Sequence, residues 1–377
     1  MSHGSMAQAA RRTQLLYDRS QAERDACGVG FIATTRGGAG AETAKVLPMA
    51  IEALRRLNHR GGIGADGTTG DGAGIMTQIP HEFFLRELAQ LGCSVPLEKG
   101  ELGVGMFFVS RETGAYARLQ QVVAQLAPEE GLQVLGWRDV PVCPEALGEH
   151  AARTRPHIGQ LFVRRPAGDD ALGFERRLFR FRRKLERALG DAKLDACVVS
   201  LSGRTVVYKG LLIASQLAAF FPDLSDPEYR TAFALFHQRY STNTTPAWRR
   251  VQPFRMLAHN GEINTIHGNA NWMAARETVL QSDALGEVDL RPVLEAGHSD
   301  SGMLDNAVEL LALAGRDVRH VLTMLIPEAW EGIAGMDQAR RDFYRYHSCL
   351  TEPWDGPAAI VFSDGRWVGA SLDRNGL

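Results

Sequence analysis

The sequence is poor in cysteine and has no long apolar run. Its five cysteines are widely spaced, odd in number and include no C-x-x-C pair. This argues against a disulfide framework or a zinc ribbon and fits a reducing cytoplasm. No apolar run approaches the roughly 20 residues of a membrane helix. Net charge is also small, at −2, which favours neither nucleic acid nor an acidic membrane surface. We therefore expect a cytoplasmic protein that binds neither.

The distribution of apolar residues predicts an α+β fold with mostly antiparallel sheets. The chain has 377 residues without a low-complexity linker or internal repeat, which favours one domain over two. We predict helices at 46–57, 174–189 and 300–313, and strands at 75–79, 101–109, 133–137, 233–236 and 254–257. A further strand is predicted in the apolar run that Cys27 opens, and hairpins are predicted at 197–212 and 358–371. The helix at 174–189 has an arginine-rich face, most simply a solvated surface and alternatively a docking surface for another domain.

Cys27 follows a charged leader and opens the first predicted strand. A cysteine with a free α-amine carries its own general base, since that amine has a pKa of about 7.7–8.0. Cys27 would gain the amine only if residues 1–26 were removed, and these residues lack the apolar core of a secretory signal. From the residue alone, Cys27 is either a latent nucleophile or a small residue that opens a strand.

Further polar side chains follow the later strands, where a scaffold presents chemistry. Amide hydrolysis by a thiol needs two donors for the oxyanion, and Asn260-Gly261 offers a side-chain NH₂ and an unhindered backbone N–H. Arg239 suits a substrate carboxylate, because its guanidinium binds in a bidentate manner. Asp300 suits an ammonium. Together these groups fit an α-amino acid with a side-chain amide, either glutamine or asparagine.

Each residue also has an ordinary explanation. Asn260-Gly261 is a common turn pair, Arg239 is a candidate surface ion-pair partner, and Asp300 is a candidate helix cap. The glycine-rich loop at 61–74 has no P-loop lysine, so it is either a loop of the substrate site or plain turns. The histidines match no usual metal spacing, and we predict no metal site.

In combination the chain resembles the class II (N-terminal nucleophile) glutamine amidotransferase domain of the glutamate synthase large subunit. The likeness runs from about residue 20 to the end. It is carried by these motifs: DACGVGF at 25–31, LNHRGG at 57–62, TGDGAG at 69–74, SLSGRTVVYKG at 200–210, HQRYSTNT at 237–244, LAHNGEINT at 257–265, SDS at 299–301, PEAW at 327–330 and EPWDGPA at 352–358.

The resemblance implies a four-layer αββα sandwich of two mainly antiparallel sheets. It implies a propeptide at 1–26 and an amidotransferase domain at 27–377, truncated at its C-terminal end. It also implies the site residues: Cys27 as nucleophile, Asn260 and Gly261 for the oxyanion, Arg239 for the α-carboxylate, Asp300 for the α-ammonium, Thr242 in the same pocket and Arg60 as a brace.

The same resemblance implies an enzyme that hydrolyses L-glutamine and passes ammonia to a site that makes glutamate from 2-oxoglutarate. FMN and an iron–sulfur cluster would belong to further domains, with no cofactor in this chain and a small electron-donating subunit as partner. Because closure of the site would depend on those domains, we expect weak activity in isolation. The alternatives are a catalytically silent precursor or fragment that only binds or assembles with the other domains, and an amidotransferase that feeds another acceptor.

Overall fold

The computed structural model of the chain describes residues 28–35, 41–239, 245–286, 290–295 and 297–373. The predicted site residues Cys27 and Thr242 and the predicted propeptide lie outside these ranges. The described strands are β1 (Val29–Ala33), β2 (Ala73–Gln78), β3 (Leu102–Val109), β4 (Gln133–Asp139), β5 (His157–Arg164), β6 (Ala196–Ser202), β7 (Thr205–Gly210), β8 (Phe233–Gln238), β9 (Leu257–Gly261), β10 (Ala358–Ser363) and β11 (Val368–Leu372).

The described helices lie mostly between these strands. They are α1 (Val46–Arg56), α2 (His81–Gln90), α3 (Ala115–Leu126), α4 (Glu149–Thr154), α5 (Ala171–Asp191), α6 (Leu217–Phe220), α7 (Ile266–Glu277), α8 (Asp300–Leu313), α9 (Val318–Leu325) and α10 (Gln338–Ser348). No helix in the described ranges combines the length and the apolar character that crossing a bilayer requires.

Among the described residues the strands pair into three antiparallel sheets. The first has the order β1-β8-β2-β7, the second β4-β5-β3-β6 and the third β11-β10-β9. Every residue of β8 is buried, so the first sheet is covered on both faces. Helix α1 packs on β1 and β8, and strands β9 and β10 pack against the same two strands.

Further helices cover the second and third sheets. Helix α5 packs on β6 and helix α8 on β9. Helices therefore form the outer layers and sheets the inner layers of the core, and the predicted α+β class is confirmed. The second sheet packs on the first through β3 and β6 against β7.

Several sequence predictions are confirmed, and two strand predictions are corrected. Helices α1, α5 and α8 and the β10–β11 hairpin lie where we predicted them. The predicted hairpin at 197–212 is wrong: β6 belongs to the second sheet and β7 to the first. The hydroxyl of Ser202 accepts the N–H groups of Arg204 and Thr205 at 2.9 and 3.1 Å, and it turns the chain from one sheet to the other. Strand β9 starts at Leu257 rather than 254.

The predicted solvated arginine face of α5 is also wrong. The side chain of Arg182 is only 1% exposed and pairs with Glu186 and Glu309. Arg177 pairs with Asp169 at 2.6 Å. The arginines instead fasten α5 to the surrounding helices and loops, because a buried guanidinium requires carboxylate or carbonyl partners.

Replacing Arg182 tests this role. We expect Arg182→Ala to lower the free energy of unfolding by about 3–5 kcal/mol, since Glu186 and Glu309 then lose a buried cation. Arg187→Ala, at an exposed position of the same helix where the guanidinium donates to the Arg291 carbonyl at 3.0 Å, should lower it by no more than about 1 kcal/mol, because solvent weakens an exposed polar contact. Denaturant unfolding of the full chain measures both, and equal effects would contradict the structure.

Candidate active site

Four of the predicted site residues line one cavity of about 320 Å³. Arg239, Asn260, Gly261 and Asp300 all contribute to its wall. They come from the end of β8, the end of β9 and the first turn of α8. The structure therefore brings together side chains that are up to 61 residues apart in sequence, and their individual roles remain predictions.

The start of β1 lies beside the same region. Gly28, which follows Cys27 in the sequence, accepts the N–H of Gln238 at 2.6 Å through its carbonyl oxygen, and Gln238 directly precedes Arg239. Arg60 lies next to Gly28, because a Cβ on Gly28 would be 3.7 Å from the Cβ of Arg60. Arg60 is not part of the cavity wall. It borders the start of β1, which is compatible with the predicted bracing role.

Arg239 is held by the glycine-rich loop through backbone groups. Its N–H donates to Gly72 at 2.8 Å, and its carbonyl accepts the N–H of Gly62 at 3.0 Å. The residue is 9% exposed. Burial lowers the pKa of Arg239 below its usual value, while Asp71 and Asp300 oppose that shift. An arginine remains charged under these conditions, so the loop presents a desolvated cation at the cavity.

The Asn260-Gly261 turn is fixed by contact with the residues that precede β10. Gly261 has a φ of +138°, and a Cβ there would overlap the carbonyl oxygen of Pro357. Gly356 has a φ of +151°, and a Cβ there would overlap the carbonyl oxygen of Glu262. The N–H of Glu262 donates to the Pro357 carbonyl at 2.9 Å. Only glycine allows this approach at both positions, which explains why both motifs carry it.

Asp300 does not cap α8, so the ordinary explanation for it is wrong. The N-cap is Ser299, whose hydroxyl accepts the N–H of Gly302 at 3.2 Å. The Asp300 carboxylate instead accepts the N–H of Ile263 at 2.9 Å and the N–H of Ser301 at 2.6 Å. These bonds tie the Asp300 carboxylate to the segment that follows Gly261, so the start of α8 and the turn that ends β9 are held together.

Sequence reasoning missed Gln252, which supports β9. Its side-chain oxygen accepts the N–H of His259 at 2.7 Å, and its NH₂ group donates to the His259 carbonyl at 3.0 Å. The amide thus pairs with the residue before Asn260 as a neighbouring strand would. The only signal for this role in the sequence was the position of Gln252 between Val251 and Pro253.

Within the described ranges, no group of three or more His, Cys, Asp or Glu side chains is arranged to hold a metal ion.

The cavity also contains neutral histidines. Burial lowers the pKa of His237 to about 3, with Arg239 and His259 adding to the shift. Burial, with Arg255 adding to it, lowers the pKa of His298 to about 3 as well. Both imidazoles are therefore uncharged near neutral pH, and the charge of the site rests on its arginines and carboxylates.

These depressed pKa values predict a loss of stability in acid. Between about pH 6.5 and 3 the unfolded chain binds protons at His237 that the folded chain does not, so stability falls as pH falls. We expect His237→Gln to reduce the slope of unfolding free energy against pH by up to about 1.4 kcal/mol per pH unit. His298, whose pKa is lowered to about 3 by burial as well, gives the parallel variant, and His298→Gln should reduce the slope to a similar extent. Identical slopes for wild type and His237→Gln would contradict the assignment.

Comparison with known proteins identifies the family. The family model described as "Glutamine amidotransferases class-II" matches residues 27–377. The chain is 45% identical over 370 residues to the "Glutamate synthase [NADPH] large chain" of Bacillus subtilis, covering 97% of this chain and 24% of the relative. It is 44% identical over 362 residues to "Ferredoxin-dependent glutamate synthase 2, chloroplastic" of Arabidopsis thaliana, covering 94% and 22%.

A third relative is the "Glutamate synthase [NADPH] large chain" of Azospirillum brasilense, 43% identical over 375 residues, covering 98% of this chain and 24% of the relative. The chain thus spans about a quarter of the length of these relatives. The family match takes in the two strands and the two helices that contribute to the cavity wall, together with the glycine-rich loop. The chain therefore belongs to the class II glutamine amidotransferases.

Proposed function

We propose that the chain hydrolyses L-glutamine to glutamate and ammonia through a thioester at Cys27, as the amidotransferase part of a glutamate synthase. One observation carries this proposal: a cation, a carboxylate and an Asn-Gly turn face a single cavity of about 320 Å³. That volume lies within the range of small-molecule sites, and the three groups match the three polar ends of glutamine.

Glutamine would bind through opposite charges at its α-carbon. The guanidinium of Arg239 takes the α-carboxylate, and Asp300 takes the α-ammonium. Asp300 accepts hydrogen bonds from Ile263 and Ser301, and a carboxylate with about four acceptor sites retains capacity for an ammonium. With the α-carbon held this way, the side-chain amide extends toward the Asn260-Gly261 turn.

The chemistry requires the free amine of Cys27. The amine takes the thiol proton, and the thiolate attacks the side-chain carbonyl carbon of glutamine. The NH₂ group of Asn260 and the N–H of Gly261 donate to the oxyanion of the tetrahedral intermediate. Collapse breaks the C–N bond and, with the proton returned by the amine, releases ammonia. Water then attacks the thioester, which gives glutamate and restores the thiol.

The remaining steps concern the parent enzyme. Ammonia would pass to a synthase site that makes glutamate from 2-oxoglutarate, and a small subunit would supply electrons. FMN and the iron–sulfur cluster would lie in the other domains. Within the described ranges, Cys93, Cys143, Cys197 and Cys349 form no group that could hold a metal ion. The free state of these thiols supports a cytoplasmic location.

Removal of residues 1–26 is part of the same proposal. The family match begins at Cys27, which supports Cys27 as the first residue of the mature chain. The alternative is a silent precursor in which the Ala26–Cys27 peptide bond keeps the amine occupied. Intact mass of the purified protein distinguishes the two, because only the processed chain begins at Cys27.

Substitution of the thiol tests the catalytic assignment. We expect Cys27→Ala to abolish glutamine-dependent glutamate release, because the proposed mechanism takes both its nucleophile and its base from Cys27. Cys349→Ala is the control, since Cys349 is exposed and its thiol donates to the Arg345 carbonyl at 3.4 Å. Glutamate release that survives in Cys27→Ala, or that is absent from a chain shown to begin at Cys27, contradicts the proposal.

A further inference from the structure

The hydroxyl of Ser301 lies between Asp300 and His259. Its oxygen is 3.1 Å from Oδ1 of Asp300 and 2.8 Å from Nδ1 of His259. Ser301 is 4% exposed and His259 is 2% exposed. A hydroxyl has one proton to donate, so the carboxylate and the imidazole compete for it.

The other edge of His259 faces the Asn260-Gly261 turn. Nε2 of His259 is buried and has no hydrogen-bond partner within the described part of the chain. It lies 2.9 Å from the position that a Cβ on Gly261 would occupy, and the Pro357 carbonyl oxygen occupies the same region. Burial lowers the pKa of His259, while Asp300 and the Pro357 carbonyl oppose that shift. The imidazole therefore lies between the carboxylate and the turn, and its burial favours the neutral form.

The backbone of His259 is fixed while its ring is not saturated with hydrogen bonds. Gln252 holds both the N–H and the carbonyl of His259, and β9 pairs His259 with Ile360 of β10. A change around His259 can therefore move the ring proton between Nδ1 and Nε2 and rotate the Ser301 hydroxyl, while the backbone of β9 stays in place.

We propose that His259 and Ser301 are positioning residues that couple occupation of Asp300 by the substrate ammonium to the Asn260-Gly261 turn. This inference rests on the proposed function. With Asp300 unoccupied, the carboxylate accepts the hydrogen bond that the Ser301 hydroxyl donates. His259 then donates Nδ1–H to the hydroxyl and presents the lone pair of Nε2 to the Pro357 carbonyl oxygen, an unfavourable arrangement.

An ammonium on Asp300 reverses that arrangement. Because it reduces the negative charge on the carboxylate, the Ser301 hydroxyl donates to Nδ1, and the ring proton resides on Nε2. The number of protons on the pair is unchanged. Nε2–H then points at the Pro357 carbonyl, which abuts Gly261 and accepts the N–H of Glu262. The turn that receives the oxyanion is thereby stabilised when a complete amino acid is bound.

The proposal predicts that the α-ammonium raises kcat as well as affinity. The test compares L-glutamine with glutaramate, which is glutamine without its α-amino group, on the full chain shown by mass to begin at Cys27. In Ser301→Ala, kcat for L-glutamine should fall about three- to tenfold, the effect of losing one neutral hydrogen bond. The kcat for glutaramate should stay within about twofold, because that substrate never uses the coupling.

Two further variants exclude a purely structural effect. Ser301→Thr keeps the hydroxyl and should have the kcat of the wild type for L-glutamine. If Ser301→Ala does not fold, His259→Gln replaces it and should show the same selective loss of kcat for L-glutamine. An equal loss of kcat for both amides, or a change in KM for L-glutamine alone, overturns the coupling. Absence of hydrolysis in the wild type, or activity in Cys27→Ala, overturns the proposed function itself and the coupling with it.

Discussion

The site depends on the close contact between the turn that ends β9 and the turn that begins β10. Gly261 and Gly356 each lie against a carbonyl oxygen of the other turn, at backbone angles that suit glycine. The contact continues beyond the glycines, since the Thr265 hydroxyl accepts the N–H of Asp355 at 2.9 Å. It sets the direction of Asn260 and of the peptide that follows, and through Ile263 it places the Asp300 carboxylate.

The positions of strands and site residues were largely accessible from sequence, because buried strands leave apolar runs and functional side chains follow them. Strand β8 and Arg239 are one example, and helix α8 with Asp300 is another. The sequence did not show how the strands are paired into sheets. Strands β6 and β7 have the pattern of a hairpin, yet the Ser202 hydroxyl directs them into different sheets. No local pattern states which sheet accepts a strand.

The same limit applies to the supporting polar groups. Gln252 acts on the backbone of His259, and Ser301 acts on a ring and a carboxylate, so their roles depend on what they face rather than on their own neighbours in sequence. The sequence pattern also does not show which polar side chains are buried. The arginines of α5 have the spacing of a solvated helix face, but Arg182 is buried and pairs with two carboxylates. Desolvation likewise makes His237 neutral, although its residue type suggests a titrating group.

The contact between Gly261 and Pro357 also orders events during synthesis. The chain segments around the cavity span from Gly28 to Pro357, so loops of great length close before the site exists. Such non-local pairing forms late relative to local helices. A ribosome must therefore have added Pro357 before the Asn260-Gly261 turn takes its final shape, and residues 28–356 are synthesised without a finished pocket.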